Sequence, residues 1–322
     1  MIKNIIKSLF SRLISKESMV EVSLMKKNYS FTRYSKDSTL PYVVFSLDSR
    51  FESNGLADRL RGMVSLYAYC KAKGLVFKID HRAPFRLADY LTPAEYDWTI
   101  KDEEITHSLF RSRPIYFMDR SNPERIFKIR EDRNIQYHVY TNIDCIDLIN
   151  QSFDKHYTFS ELFNELFKPA PSLATILRDN LSAIGKNYIS ISFRFMQLLG
   201  EKDIRGDVLN NSEREKLIHR SLECVKSLQK QNANLGCLVT ADSNLFLQEV
   251  ATLPDIYVAP GKVGHIGHNE EGDVFLKTFL DFFLVANAEQ VYLAYTGSMY
   301  SKSLFAKTAA LIKDRTFKKV NY

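Results

Sequence analysis

The stretch PYVVFSLDSRFESNGLADRLRGMVSLYAYCKAKGLVFKID (41–80) decides how the chain is read. Its first eight residues, PYVVFSLD (41–48), form an apolar run of the kind buried on both faces of a parallel sheet. Ser53, Asn54 and Gly55 supply a turn, and LADRLRGMVSLYAYCKAKG (56–74) then carries a helical pattern ended by Gly74. LVFKID (75–80) is the next strand. Strand, helix and strand in this order make a βαβ unit, and its first corner holds Asp58, Arg59 and Arg61.

The alternation continues beyond this unit. RPIYFM (113–118) and NIQYHVYT (134–141) read as strands, and helical segments over 158–168 and 172–184 flank a Pro-Ala-Pro break that marks a domain boundary. The pattern then restarts with the strand KNYISISFRF (186–195) and the helix SEREKLIHRSLECVKSLQKQN (212–232). LGCLVTAD (235–242) is a strand, SNLFLQEVAT (243–252) a short helix capped by Ser243, and IYVAPG (256–261) closes that unit. An apolar helix over 272–288, the strand QVYLAYT (290–296) and a helix from Ser298 or Ser301 to about Ile312 complete the chain. Two successive α/β halves imply two doubly wound sheets facing one another across a cleft, with domains over 39–169 and 170–322.

Residues 1–38 stand apart from these halves. In MIKNIIKSLFSRLISKE the apolar residues Ile2, Ile5, Ile6, Leu9, Phe10, Leu13 and Ile14 share one helical face, with Lys3, Lys7, Arg12 and Lys16 on the other. Such a basic amphipathic helix either lies on an anionic membrane or packs on its own protein, so peripheral membrane association through residues 2–16 is one expected partner. It lacks the apolar centre and cleavage site of a signal peptide. SMVEVSLMKKNYSFTRYSKDS (18–38) is polar and poorly periodic, and reads as a linker.

Composition narrows the function classes. With 322 residues, 45% hydrophobic and 12% aromatic, the chain has material for two cores and is far from the disordered class. A net charge of +6 suits an anionic ligand, but no Lys/Arg run flanked by stacking aromatics marks a nucleic-acid partner. Cys70, Cys145, Cys224 and Cys237 show no metal or disulfide spacing, which makes a reducing cytoplasm the expected compartment. The longest apolar stretch, VFLKTFLDFFLVANA (274–288), is cut by Lys277 and Asp281 and is too short to span a bilayer.

Neither corner supplies the G-x-G-x-x-G of dinucleotide enzymes, and no Walker-type loop is present. His265 and His268 lie three apart in GHIGHN without the acidic partner of a zincin motif, and no Asp-x-Asp metal–diphosphate clamp occurs, so no metal is expected. A transferase that expels a nucleoside diphosphate without a divalent ion must meet the growing phosphate charge with fixed cations and backbone N–H groups. Arg194 is placed for this: it ends the strand ISISFRF, where open α/β sheets bind ligands, and an acidic, glycine-containing loop, MQLLGEKDIRGD (196–207), follows.

These residues carry a resemblance. GLADRLRG (55–62) looks like the G-x-G-D-R-L-R-G signature of the GDP-fucose fucosyltransferases related to the nodulation (NodZ-type) and core α1,6 enzymes. ISISFRF is similar to that family's strand ending in H-x-R-R, and LVTADSNLFLQEV to its T-D-D/S block. TFLDFFLVANAEQVYLAYTGSMYSKSLFAKTAAL resembles its closing block, so the likeness runs in order over roughly 39–312. The resemblance implies a GT-B-like fold and an inverting, metal-independent transfer of fucose from GDP-fucose to a glycan hydroxyl, with no cofactor beyond the donor. It implies that Arg194 binds the β-phosphate and that Asp242 recognises the guanine edge. Asn54, Gly55 and Leu56 then approach the pyrophosphate, Ser192 and Phe193 line the donor site, and Thr296, Gly297 and Ser298 close around phosphate and fucose. The family histidine is Ser192 here, its second arginine is Phe195, and Ala57 stands where glycine is usual. One cationic contact is thereby lost, and Arg59, Arg61 and Arg205 are the candidates to restore it.

Transfer also needs a base for the acceptor hydroxyl. The resembled family often keeps an acid several residues beyond its arginine, which nominates Glu201 first and Asp203 second. Asp281, within an apolar helix face, is expected to tie down the glycine-rich loop 261–267 rather than react. The expected acceptor is a cell-surface or lipid-linked oligosaccharide, and the protein is expected in the cytoplasm, at most peripheral to the inner face of the membrane. Two alternatives remain open: transfer from another GDP-sugar, or a catalytically silent nucleotide- or glycan-binding protein of the same fold.

Overall fold

The computed structural model describes residues 15–31, 41–47, 55–118, 122–185, 187–201, 207–264 and 273–322. The chain divides into two compact units. One takes residues up to 54 with Asp58–Arg86 and Pro93–Phe167; the other takes Gly55–Ala57, Leu87–Thr92 and Lys168–Tyr322.

The first unit is a four-stranded parallel sheet of β1 (Tyr42–Ser46), β2 (Val76–Asp80), β4 (Ser112–Phe117) and β5 (Gln136–Thr141) in the order β2-β1-β5-β4. Two short strands, β3 (Leu91–Pro93) and β6 (Phe167–Pro169), lie outside both main sheets. β1 is central, and Val43, Val44 and Phe45 are buried, which is why its sequence is continuously apolar. Helix α2 (Leu56–Lys73) follows β1 and ends at Gly74, whose φ of 65° favours glycine.

A helix also occupies Lys16–Asn28, so the reading of 18–38 as a linker is corrected over 18–28. Ser15 is its extended N-cap and accepts from the Ser18 N–H, so the amphipathic helix expected over residues 2–16 does not run through this point; residues 1–14 lie outside the described residues. Hydrophobic periodicity misses this helix, here α1, because its buried face is Glu17, Glu21 and Leu24. Glu21 Oε1 accepts from the Tyr116 N–H at 2.9 Å and from Arg125 Nη2 at 2.5 Å, while Arg125 Nε donates to the Tyr116 carbonyl at 3.0 Å. Both main-chain groups of Tyr116 on edge strand β4 are thus satisfied by an ion pair, which closes the edge to further pairing. Glu21→Ala leaves a buried N–H and a guanidinium without their acceptor, so unfolding in urea should show a loss of about 2–3 kcal/mol.

The remaining helices of this unit are α3 (Ile146–Phe153) and α4 (Phe159–Leu166), the latter opened by a capping box between Thr158 and Glu161. In the second unit, α5 (Pro171–Ile184) leads into a five-stranded parallel sheet of β7 (Tyr188–Phe193), β8 (Gly236–Thr240), β9 (Ile256–Tyr257), β10 (Gln290–Tyr295) and β11 (Thr316–Asn321), in the order β11-β10-β7-β8-β9. Helices α6 (Asn211–Gln231), α7 (Asn244–Val250), α8 (Asp273–Asn287) and α9 (Phe305–Leu311) connect the strands. Asn210 caps α6 in a box with Glu213, and Ser243 caps α7 by accepting from the Phe246 N–H at 3.1 Å. The segment 256–261 that closes this unit contributes a strand of only two residues, and β11, with Lys318 and Lys319 on an exposed edge, is an added element. Among the described residues no helix is long and apolar enough to cross a membrane.

Candidate active site

The sheet of the second unit changes direction between β7 and β10. From β7 the chain steps through β8 to β9, then crosses to the other side of β7 and steps from β10 to β11. Loops leaving the two strands at such a switch diverge, and ligands of doubly wound sheets bind at the carboxyl ends there. Arg194 directly follows β7 and Thr296 directly follows β10. The two loops are tied together, since the Tyr300 N–H donates to the Arg194 carbonyl at 3.1 Å.

Asp242, two residues beyond β8, organises this edge. Its Oδ1 accepts from the Phe195 N–H at 2.8 Å, and its Oδ2 accepts from the Met196 N–H at 2.8 Å and pairs with Arg194 Nη1 at 2.7 Å. Three donors on one carboxylate fix a turn in which Met196 has φ 57°, a left-handed conformation that non-glycine residues rarely hold without outside support. Burial pushes the Asp242 carboxyl pKa up, and Arg194 with the two N–H groups pulls against that rise. The oxygens expected at a guanine edge are therefore turned onto residues 194–196. Arg194 remains one-quarter exposed while its partner is 13% exposed, so the half-buried carboxylate aims a guanidinium that reaches the surface.

Ser192 and Phe193, expected to line the donor site, carry their side chains into the interior instead. Ser192 Oγ shares a hydrogen bond with Thr240 Oγ1 at 2.7 Å, and Phe193 stacks on Phe195 and tilts against Phe246. Phe195, at the place of the family's second arginine, is fully buried. A central parallel strand is covered on both faces, so alternate positions are equally enclosed.

Glu201 serves a helix. Its Oε1 accepts from the Asn244 N–H at 2.8 Å at the start of α7, and its Oε2 is buried without a hydrogen-bond partner among the described residues. The anion sits where the first N–H groups of a helix favour it. Asn244 in turn exchanges hydrogen bonds with both main-chain groups of Val263.

At the β10 corner, Thr296 is buried and its Oγ1 accepts from Arg220 Nη2 at 2.9 Å. Gly297 has φ 53°, and the Met299 N–H closes a turn onto the Thr296 carbonyl at 3.1 Å. This turn corrects the expected helix start at Ser298 or Ser301: α9 begins at Phe305, because residues 296–300 are drawn back to Arg194. No helix dipole therefore acts at Ser298. Asp281 pairs with Lys277 Nζ at 2.5 Å inside the unit, and burial raises its carboxyl pKa against the pull of that lysine. The loop tie expected of Asp281 is thus corrected to this pair, whose lysine stem packs against Gly261.

Beyond Gly55, the described side chains of the signature serve packing. A Cβ on Gly62 would collide with the Thr141 carbonyl oxygen, so the glycine lets α2 lie against the end of β5. Arg59 is 2% exposed, with Nη1 3.3 Å from His81 Nε2 and its guanidinium over the Phe85 ring. Arg61 pairs with Asp144 at 3.1 Å. Leu56 is buried in the core. Asn54, Asp203, Arg205, His265 and His268 lie outside the described residues. Among the described residues no group of three or more His, Cys, Asp or Glu side chains could hold a metal ion. Arg220, and the Asp242 pairing that steers Arg194, were missed by sequence reasoning; the first sits inside a helix with no motif around it, and the second joins residues 48 positions apart.

Two Rossmann-like parallel-sheet units, the second with a cation at its switch point, define an α/β chain of the GT-B-like kind. No protein-family model and no curated protein matches the chain. Among solved structures it is similar to NodZ α-1,6-fucosyltransferase. A NodZ structure soaked with GDP-fucose matches with TM-score 0.53 at 15% identity, covering 85% of this chain and 92% of that one. NodZ co-crystallised with GDP matches at TM-score 0.51 and 15% identity over 85% and 93%. NodZ from Bradyrhizobium matches at TM-score 0.51 and 15% identity over 85% and 94%. The likeness is one of fold.

Proposed function

We propose that the chain is a fucosyltransferase that moves fucose from GDP-fucose to a glycan hydroxyl, with inversion and without a metal ion. The observation that carries this reading is the Arg194 guanidinium, oriented by half-buried Asp242 at the β7/β10 switch point, in a chain that shares its fold with a protein solved with GDP-fucose. As the acceptor oxygen attacks C1 from the face opposite the diphosphate, charge gathers on the leaving β-phosphate. Arg194 supplies a fixed cation for that charge, and the Thr296–Ser298 turn supplies backbone at the neighbouring strand end. In this reading Asp242 is a positioning residue, Gly55 and Asn54 belong to the donor-side corner, and the acceptor is a cell-surface or lipid-linked oligosaccharide. Peripheral membrane attachment through residues 2–16 belongs to the same proposal.

The base is assigned to Asp203. A base must come within about 3 Å of the acceptor hydroxyl, whereas Glu201 has one oxygen on α7 and the other enclosed. Glu201→Gln should keep turnover and its pH profile close to wild type, rather than lose the roughly 100-fold or more of a missing general base. It should cost about 1 kcal/mol of stability through the weakened helix start. A pH profile displaced in Glu201→Gln would return the base to Glu201.

Thermal melts with GDP-fucose, GDP-mannose and UDP-sugars in chelator, together with slow GDP release, test the whole reading. Ligand at about 100 times its dissociation constant stabilises the folded state by about 2.7 kcal/mol. Stabilisation by UDP-sugars alone, or turnover abolished by EDTA, would overturn it.

A further inference from the structure

We infer that Arg220 supplies the second fixed positive charge of the diphosphate site, the one that Phe195 cannot provide. The inference rests on the donor reading above. Arg59 is enclosed with His81 and Phe85, and Arg61 is paired with Asp144, so the described arginines of the signature corner are committed within their own unit. Arg220 projects from the exposed side of α6 and belongs to the second unit with Arg194. Its Nη2 donates to Thr296 Oγ1 at 2.9 Å and to the main-chain oxygen of Tyr322 at 2.8 Å, residues that directly follow β10 and β11. The guanidinium therefore lies on the same carboxyl edge of the sheet as Arg194.

Its distance from the switch point follows from the pairing. Phe193 is the register partner of Ala294, so Thr296 leaves β10 one strand away from the residues that leave β7, a spacing of about 5 Å between neighbouring strands. The turn between them is pinned at both ends, by Arg220 on the Thr296 hydroxyl and by the Tyr300 N–H on the Arg194 carbonyl. Tyr322 braces the arrangement: its N–H donates to the Tyr295 carbonyl, and its hydroxyl lies 2.6 Å from Ser221 Oγ on the helix that carries Arg220. A guanidinium has five donors, and the two hydrogen bonds from Nη2 leave the N–H groups of Nη1 and Nε, with the fixed charge, for single hydrogen bonds to phosphate oxygens. Among the described residues Arg220 forms no side-chain ion pair, unlike Arg61 with Asp144.

The test compares GDP with GMP, which differ by the β-phosphate. Arg220→Gln keeps an N–H donor for Thr296 and removes the charge; Arg220→Lys keeps the charge; Thr296→Val removes the hydroxyl and keeps the arginine. Calorimetric titration should show GDP binding weakened about 10- to 100-fold in Arg220→Gln, with GMP changed less than threefold. Arg220→Lys should recover part of the loss, and Thr296→Val should fall between them. Equal weakening of GDP and GMP in Arg220→Gln would make the arginine a clasp between the ends of β10 and β11 and overturn the inference. Wild-type GDP affinity in Arg220→Gln would also overturn it while leaving the donor reading standing. A wild-type protein that binds neither nucleotide would instead remove the donor reading and this inference with it.

Discussion

Arg194→Ala should lower the turnover of GDP-fucose transfer by about 100- to 1,000-fold, the loss typical when one pre-aimed donor to a developing oxyanion is removed. The loss should appear in kcat as well as in kcat/KM, because the charge on the leaving phosphate is greater in the transition state than in the bound donor. Arg194→Lys should recover little. A lysine carries the charge but cannot pair with Asp242 and present a planar fork to phosphate at once. Part of the alanine effect is structural: the half-buried Asp242 carboxylate would keep its two N–H donors and lose its cation, and its pKa would rise further. Asp242→Asn separates the contributions, since it removes one full acceptor from the Phe195–Met196 turn while leaving the arginine. Circular dichroism and urea melts of all three variants, beside donor hydrolysis rates, make the comparison. An Arg194→Ala protein that is folded and transfers fucose at the wild-type rate would end the proposal.

The strands that form this site were legible because central parallel strands must be apolar on both faces. β1, β7, β8 and β10 announce themselves as runs such as YVVFS and YISISF. Helix starts with side-chain caps were equally legible, as Ser243 shows. Elements built on charge were not. α1 buries Glu17 and Glu21 against Asn122 and Arg125, and hydrophobic periodicity carries no trace of that choice. The late start of α9 depends on a hydrogen bond from Tyr300 to Arg194, a link across more than 100 residues. In the site itself, position at a strand end singled out Arg194 and the family resemblance singled out Asp242, but neither carried the direction of their side chains. The same limit applies to the D-R-L-R signature, where the family resemblance suggested ligand contact and packing gives Arg59 to His81 and Arg61 to Asp144.

The largest stability effect should come from acid. Burial holds the imidazole pKa of both His81 and His138 at about 3. His81 has Nδ1 3.1 Å from the Phe85 carbonyl and Nε2 beside the Arg59 guanidinium, a neighbour that opposes a second positive charge. His138 lies between the Tyr29 hydroxyl and Gln136 Oε1, each at 2.8 Å, with His107 against its ring. Because the folded pKa lies below the unfolded value of 6.5, the unfolded chain binds more protons between these limits. Stability is then full above about pH 6.5 and falls as pH drops toward 3, by about 1.4 kcal/mol per pH unit for each histidine. From pH 7 to pH 5 the two together remove about 4 kcal/mol, a large part of the 5–15 kcal/mol of an ordinary domain. Asp242 and Asp281 act in the opposite sense, since burial raises their folded pKa values, so the histidine contribution is isolated by mutation. Urea unfolding at pH 7, 6 and 5 should show a steep fall for wild type and roughly half that slope in His138→Gln. Equal slopes in the two proteins would mean that His138 accepts its proton without unfolding the sheet around it.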